Sequence, residues 1–232
     1  MLSEIPACLE SIASMKDIRL VVIRGRGKIF CSGADLDQMR IEGKSREQIK
    51  KEACLFFDCY KSVYDHDFPV ITFVHGGVYG GGNGFPAASD FTFAVDGTKF
   101  SFSEVRLGLV PATIAPFVLR RIGAYMAREL LLTGKIIDSK KAQRIGLVNK
   151  IIRENEIEKE IGNLITLFEQ TGPKAVTHTK KLIRYLSENY HMSDIKDYTT
   201  DLISEIRQSK EAIKGISSFF KGDLPDWLSI EK

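Results

Sequence analysis

Apolar residues follow two rhythms along this chain. In the first hundred positions they form short unbroken runs closed by glycine: IRLVVIRG (18–25), PVITFVHG (69–76) and FTFAVDG (91–97). Runs of this length bounded by turn residues predict buried strands, and Pro69 disfavours helix just before the second. Between the first two, SREQIKKEACLFFDCYKSVY (45–64) places Ile49, Ala53, Phe56, Phe57, Tyr60 and Val63 at helical spacing. Ser45 with Gln48 reads as a capping box at its start. Strand, helix, strand predicts parallel pairing with right-handed crossovers. From about residue 116 the strand rhythm gives way to helices over 124–134, 138–146, 154–172, 173–189, 193–207 and 208–221. The pattern is an α/β core, 1–175, followed by a helical region, 176–232, suited to subunit contacts.

Composition narrows the function classes. With 232 residues, 44% apolar and 27% charged, the chain is long enough for a substantial core and ordinary for a globular protein. A net charge of +3 without a Lys/Arg block argues against nucleic acid as a partner. The most apolar stretch, Phe68 to Val74, is far short of a membrane span. The opening MLSEIPACLESIA carries acidic residues and no basic n-region, unlike a signal peptide. Cys8, Cys31, Cys54 and Cys59 fit neither a zinc spacing nor a disulfide framework, so the expectation is free thiols, a cytoplasmic location and no metal.

The chemistry gathers around GGVYGGGNGFPAASD (76–90), with six glycines in its first nine residues. Glycine this dense serves a positive φ or a close approach to the backbone, by a ligand or by a packed neighbour. The run follows a predicted strand and enters GFPAAS, which opens a helix, so backbone N–H groups at a positive helix end are available to developing negative charge. GRGKIFCSGADLDQM (25–39) has the same form and enters a polar helix start at Asp35, read as an N-cap. Two such turns in one sheet can aim N–H groups at a single oxygen, an oxyanion hole. Gly82-x-Gly84-x-x-Ala87 formally fits a dinucleotide fingerprint, but Pro86 lies inside it and the next strand ends early, at Asp96.

FCSGADLDQM (30–39), GGVYGGGNGFPAASD (76–90), FSFSEVRLGLVPATIAPFVLRRIG (100–123), LLLTGKIIDSKKAQRIGLVNKII (130–152) and GISSFFKGDLPDW (215–227) together resemble the crotonase, or enoyl-CoA hydratase/isomerase, superfamily. The resemblance covers nearly the whole chain. It implies a crotonase-like spiral of ββα turns with a C-terminal helical trimerisation region, and assembly as a homotrimer or hexamer. It also implies an acyl-CoA or acyl-carrier-protein thioester as substrate, with no separate cofactor. Its carbonyl oxygen would be held by the N–H groups of Ala34 and Gly81. Glu104 falls on the second catalytic glutamate position, while Gly84 stands where two-glutamate hydratases carry their first. A single carboxylate beside Phe100, Phe102 and Val105 is expected to have a raised pKa and to suit proton transfer. The reactions left open are hydration or dehydration of an enoyl thioester, double-bond isomerisation, or thioester binding by a catalytically impaired member.

The stretch EVRLGLVPATIAPFVLRRIG, with Gly84, most resembles 3-methylglutaconyl-CoA hydratases and dehydratases of carrier-bound hydroxymethylglutaryl groups. A distal carboxylate on such substrates calls for a basic contact, for which Arg106 and Arg120 are candidates. Ser32, Asp35, Leu36, Tyr79 and Gly80 are expected to bind substrate, Tyr79 along the acyl pocket. Lys180 and Phe219 match positions that contact the CoA nucleotide. Family members begin with further strands and an Asn-Ala-Leu turn; this sequence opens in the helix that follows, so the expected sheet is short of those strands. Gly84→Glu is expected from the motif alone to raise hydration.

Overall fold

The computed structural model describes residues 1–228 apart from Lys16, Leu36, Gln38, 40–42 and Tyr190. The chain runs α1 (Glu4–Ala13), β1 (Val21–Arg24), α2 (Arg46–Asp65), β2 (Val70–Val74), β3 (Gly77–Tyr79), α3 (Gly84–Ala88), β4 (Phe91–Val95) and β5 (Lys99–Ser101). It continues with α4 (Ala115–Thr133), β6 (Ile137–Asp138), α5 (Ser139–Arg144), β7 (Lys150–Ile152), α6 (Ile157–Glu169), α7 (Pro173–Glu188), α8 (Met192–Arg207) and α9 (Lys210–Lys221). Two compact units result: Met1–His66 with Val70–Glu158, and Asp67–Pro69 with the chain from Lys159 onward. No helix among the described residues is long and apolar enough to cross a membrane.

The first unit is built on a parallel sheet in the order β1-β2-β4-β7, with a smaller sheet β3-β5-β6 whose strands are interleaved with it along the chain. β1 pairs with β2 from Val21↔Val70 to Arg24↔Phe73, as the strand–helix–strand pattern predicts. Every residue of β2 is buried, which is why VITFV reads as a continuous apolar run rather than an alternation. Its one polar side chain is satisfied: Thr72 Oγ1 lies 2.6 Å from Ser89 Oγ. The capping box of α2 forms as expected, Ser45 Oγ accepting from Gln48 N–H and Gln48 Oε1 from Ser45 N–H.

The strand signal does not end at 116. β6 and β7 lie beyond it, and at two and three residues they are too short to show a period. The helix expected from 124 begins earlier, at Ala115, with Pro116 in its first turn. Gly123, at φ 72° and ψ 158°, breaks it, so 124–133 is the second of two helical segments.

Arg121, just before that break, ties the core together. Its guanidinium donates to the carbonyls of Ser89, Asp90 and Gly146 and to Asn149 Oδ1. Asn149 Oδ1 also accepts from Thr92 N–H, so one cluster joins α4 to the edges of β4 and β7. Arg121→Met keeps the chain length but removes the donor from three carbonyls and leaves Asn149 Oδ1 with Thr92 N–H alone. It is expected to lower unfolding free energy by about 1.5–3 kcal/mol, measurable by urea titration.

In the second unit, Glu211 in the first turn of α9 accepts from Lys174 and Ala175 N–H, capping the start of α7. Lys180 Nζ donates to the Phe68 carbonyl at 3.0 Å, and Lys181 pairs with Asp67 at 2.9 Å, fixing 67–69 to α7. Tyr185 stacks on Tyr198 with centroids 3.8 Å apart, joining α7 to α8.

Candidate active site

The two glycine-rich turns meet because β3 pairs with the segment that leads into the first of them. Cys31 bridges Val78 in parallel, its N–H donating to Gly77 O and its carbonyl accepting from Tyr79 N–H. Phe30 N–H donates to His75 O, and His75 Nε2 lies 2.9 Å from Gly27 O, so the loop before Cys31 is pinned at both ends. Contact is close enough to require glycine. Gly33 has φ +99°, and a Cβ there would stand 3.1 Å from Tyr79 O. A Cβ on Gly82 would come within 2.8 Å of Cys31 Cβ.

Gly80–Asn83 form a 3-10 turn after Tyr79, whose leading N–H groups have no acceptor within the turn. Asn83, fully buried, holds the turn from one side. Its Nδ2 reaches Val78 O, Gly80 O and Ser101 O at 3.0–3.2 Å, linking the ends of β3 and β5. β5 leads directly into a second 3-10 turn, Ser103–Leu107, which carries Glu104. Glu104 Oε1 would lie 3.5 Å from a Cβ on Gly80, so the carboxylate sits against the glycine turn. Its Oε2 is buried and makes no hydrogen bond among the described residues. Burial pushes the carboxyl pKa above its ordinary value, against a smaller lowering by its own backbone N–H. Phe100 and Phe102 are fully buried.

A cavity of about 380 Å³ opens between these elements, within the range of small-molecule sites. Ala34, Gly80, Gly81 and Glu104 all line it, and Phe56 and Leu109 contribute to its apolar wall. Ser32 lines it too. Among the described residues, its titratable lining residues are Glu104 and Glu52 of α2. Glu52 pairs with Lys44 at 2.7 Å and is 45% exposed, so its charge is balanced and hydrated. Glu104 is half-buried, and its shielded Oε2 has no such partner among the described residues.

Other residues singled out from the sequence lie elsewhere. Asp35 Oδ1 accepts from Asp37 N–H, and Asp35 O from Met39 N–H, a local turn rather than a cavity contact. Leu36 lies outside the described residues. The Tyr79 ring folds back over Gly77. Arg106 is exposed and packs its Nε 3.1 Å from the Cβ position of Gly134, while Arg120 sits over the Tyr64 ring at 5.8 Å. Neither arginine lines the cavity. Lys180 and Phe219 belong to the second unit, where Phe219 is 81% exposed and meets Phe220 edge-on.

Gly84 is buried, and the ring of Tyr60 fills its side-chain space: a Cβ there would lie 2.5–2.6 Å from three Tyr60 ring carbons. With Gly82 against Cys31 and Gly84 against Tyr60, the apparent dinucleotide fingerprint is occupied by protein side chains and offers no phosphate cradle. Sequence reading missed Tyr60, Asn83 and Glu52 as parts of this region. Tyr60 was visible only as one apolar position in the α2 stripe, and Glu52 as one of that helix's polar residues. The glycine run marks the turn, but nothing local marks Asn83 as the residue that ties its carbonyls together.

Fold and cavity together define an α/β protein of the crotonase fold. The crystal structure of an enoyl-CoA hydratase from Shewanella pealeana superposes with a TM-score of 0.92 at 30% identity, covering 97% of this chain and 85% of that one. The chain belongs to the enoyl-CoA hydratase/isomerase family, whose sequence profile matches residues 1–229. It is 28% identical over 221 residues to the carnitinyl-CoA dehydratase of Citrobacter koseri, covering 91% of this chain and 82% of that protein. Identity to the bacillaene synthase dehydratase PksH of Bacillus subtilis is 29% over 185 residues, 78% of this chain and 70% of that protein.

Proposed function

We propose that this protein adds water to, or removes it from, the α,β double bond of an enoyl thioester, with Glu104 as its single acid/base group. The supporting observation is a half-buried carboxylate of raised pKa, one oxygen fully shielded, in the wall of a cavity shared with two glycine-rich turns. In the hydration direction, ionised Glu104 takes a proton from water as the water oxygen bonds to Cβ. The electron pair of the double bond moves toward the thioester, whose enolate oxygen is held by Ala34 and Gly81 N–H. Glu104 then returns the proton to Cα, so that H and OH have added across the bond. Two main-chain donors supply what a water-exposed enolate lacks; one such donor is typically worth roughly 2.7–4 kcal/mol. The thioester itself is the reacting group, and no separate cofactor is needed.

Dehydratase and hydratase names among the relatives favour lyase chemistry over isomerisation. For the acyl group, apolar lining residues such as Phe56 and Leu109 favour a neutral chain. The 3-methylglutaconyl likeness rests on sequence, since Arg106 and Arg120 stand off the cavity wall. The carrier is CoA or an acyl-carrier protein. Incubation with crotonyl- and 3-methylcrotonyl-thioesters on each carrier, followed by the absorbance of the conjugated double bond, is expected to show its loss on at least one. Conversion of a 3-enoyl to a 2-enoyl thioester without hydration would replace this reading by isomerisation. No turnover on any of these would leave the binding-protein reading.

A further inference from the structure

We infer that Tyr60 is a positioning residue for the oxyanion site, its hydroxyl setting the 3-10 turn whose Gly81 N–H faces the thioester oxygen. This rests on the thioester function proposed above. The Tyr60 hydroxyl donates to Gly81 O at 2.7 Å, and also lies 3.0 Å from where a Cβ on Gly81 would stand. The turn it holds contains three successive glycines, which have almost no intrinsic restraint on φ and ψ. A donor must nevertheless be fixed before the charge develops if it is to stabilise the transition state without reorganising.

The restraint therefore comes from outside the turn. Asn83 anchors the carbonyls of Val78 and Gly80, and Tyr60 anchors that of Gly81, one peptide further on. The carbonyl and the N–H of Gly81 flank the same Cα, so holding one limits the direction of the other. Tyr60 is itself immobilised, being 1% exposed with its ring edge-on to Phe85 at 5.3 Å and to Phe117 at 6.1 Å. Burial, with nearby Cys59, Cys31 and Glu104, raises its pKa, so the phenol stays a donor. The same ring fills the side-chain space of Gly84, which makes tyrosine at 60 and glycine at 84 a matched pair. Tyr60 is not among the residues that line the cavity, so its proposed role is to position Gly81.

The test is Tyr60→Phe, with two readouts. Turnover is expected to fall about 10–100-fold with KM changed less than about threefold, the scale of a small misplacement of a catalytic donor. An aromatic enoyl thioester such as 4-dimethylaminocinnamoyl-CoA, whose absorbance moves to the red when its carbonyl is polarised, is expected to show a smaller shift at saturation than in the parent. If the parent shifts the probe and Tyr60→Phe shifts it equally with unchanged kcat, the inference is overturned while the function stands. If the parent neither binds nor shifts it, the function has failed instead. Should Tyr60→Phe not fold, Tyr60→Ala is refolded with phenol or with toluene in the cavity it leaves. Recovery of the shift with phenol alone supports the role of the hydroxyl; equal recovery with both overturns it.

Discussion

Glu104→Gln is expected to lose turnover by ~10²–10⁴-fold while thioester affinity changes little. The substitution keeps the shape of the side chain and its hydrogen-bonding capacity but removes the titrating proton. The proposed main-chain donors at Ala34 and Gly81 are untouched, so substrate binding is expected to survive. The same variant has an opposite effect on stability. Burial raises the folded-state pKa of Glu104 above its unfolded value. Its contribution to stability is therefore fully present below the ordinary carboxylate pKa and is lost as pH rises through the folded-state pKa. Above that window the native protein holds a charge that burial disfavours, and glutamine holds none. Calorimetric melting across pH is expected to show Glu104→Gln gaining Tm over the parent at alkaline pH, with the difference closing toward acid. A fully active variant would place the chemistry on another group; a Tm deficit that grows with pH would mean that the carboxylate is stabilised when charged.

Gly84→Glu carries the second large effect, and its sign reverses the motif-based expectation. In the motif, a glutamate at 84 would restore a two-carboxylate site. In the fold its Cβ would stand 2.5 Å from the Tyr60 ring, itself wedged between Phe85 and Phe117. Overpacking a rigid core costs about 1–3 kcal/mol for the added atoms alone. A buried carboxylate adds its desolvation to that. We expect destabilisation of about 3 kcal/mol or more by denaturant titration, and no gain in hydration. Hydration rising in a variant as stable as the parent would show that Tyr60 can swing aside. Pairing the change with Tyr60→Gly opens the space, and the double variant is expected to recover part of the lost stability.

What was legible in the sequence depended on how far each signal extends along the chain. β2 and β4 announce themselves because parallel strands covered on both faces need consecutive apolar residues; β1 carries the same apolar run but lies at the sheet edge, with only Val21 buried. β3, β5, β6 and β7 are two or three residues long and are set by their partners, so no local pattern marks them. Ala34, Gly81 and Glu104 could be picked out because spaced motifs carry them, and the fold brings all three to one cavity. Arg106 shows the limit of sequence proximity. It is two residues from Glu104, but a 3-10 turn has three residues per revolution, so the two side chains diverge and Arg106 turns toward Gly134. Tyr60 was hidden for another reason. Its hydroxyl matters only through a carbonyl twenty-one residues away, and within α2 it reads as one more core aromatic.

The pairing of β4 with β7 has a consequence for how the protein comes into being. Phe93↔Lys150 and Val95↔Ile152 join strands separated by β5, α4, β6 and α5. During synthesis, one long edge of β4 stays unpaired until β7 has left the ribosome, exposing backbone groups and apolar side chains that can template other chains. Such non-local closure is slow, because the intervening loop must be ordered before any contact rewards it. The Asn149 and Arg121 cluster can assemble only at that same late moment, since it draws on residues 89, 90, 92, 121, 146 and 149. The cavity's own parts, residues 32 to 113, are complete well before then. Nascent chains are thus expected to carry the pieces of the site before the sheet in the same unit can close on β7.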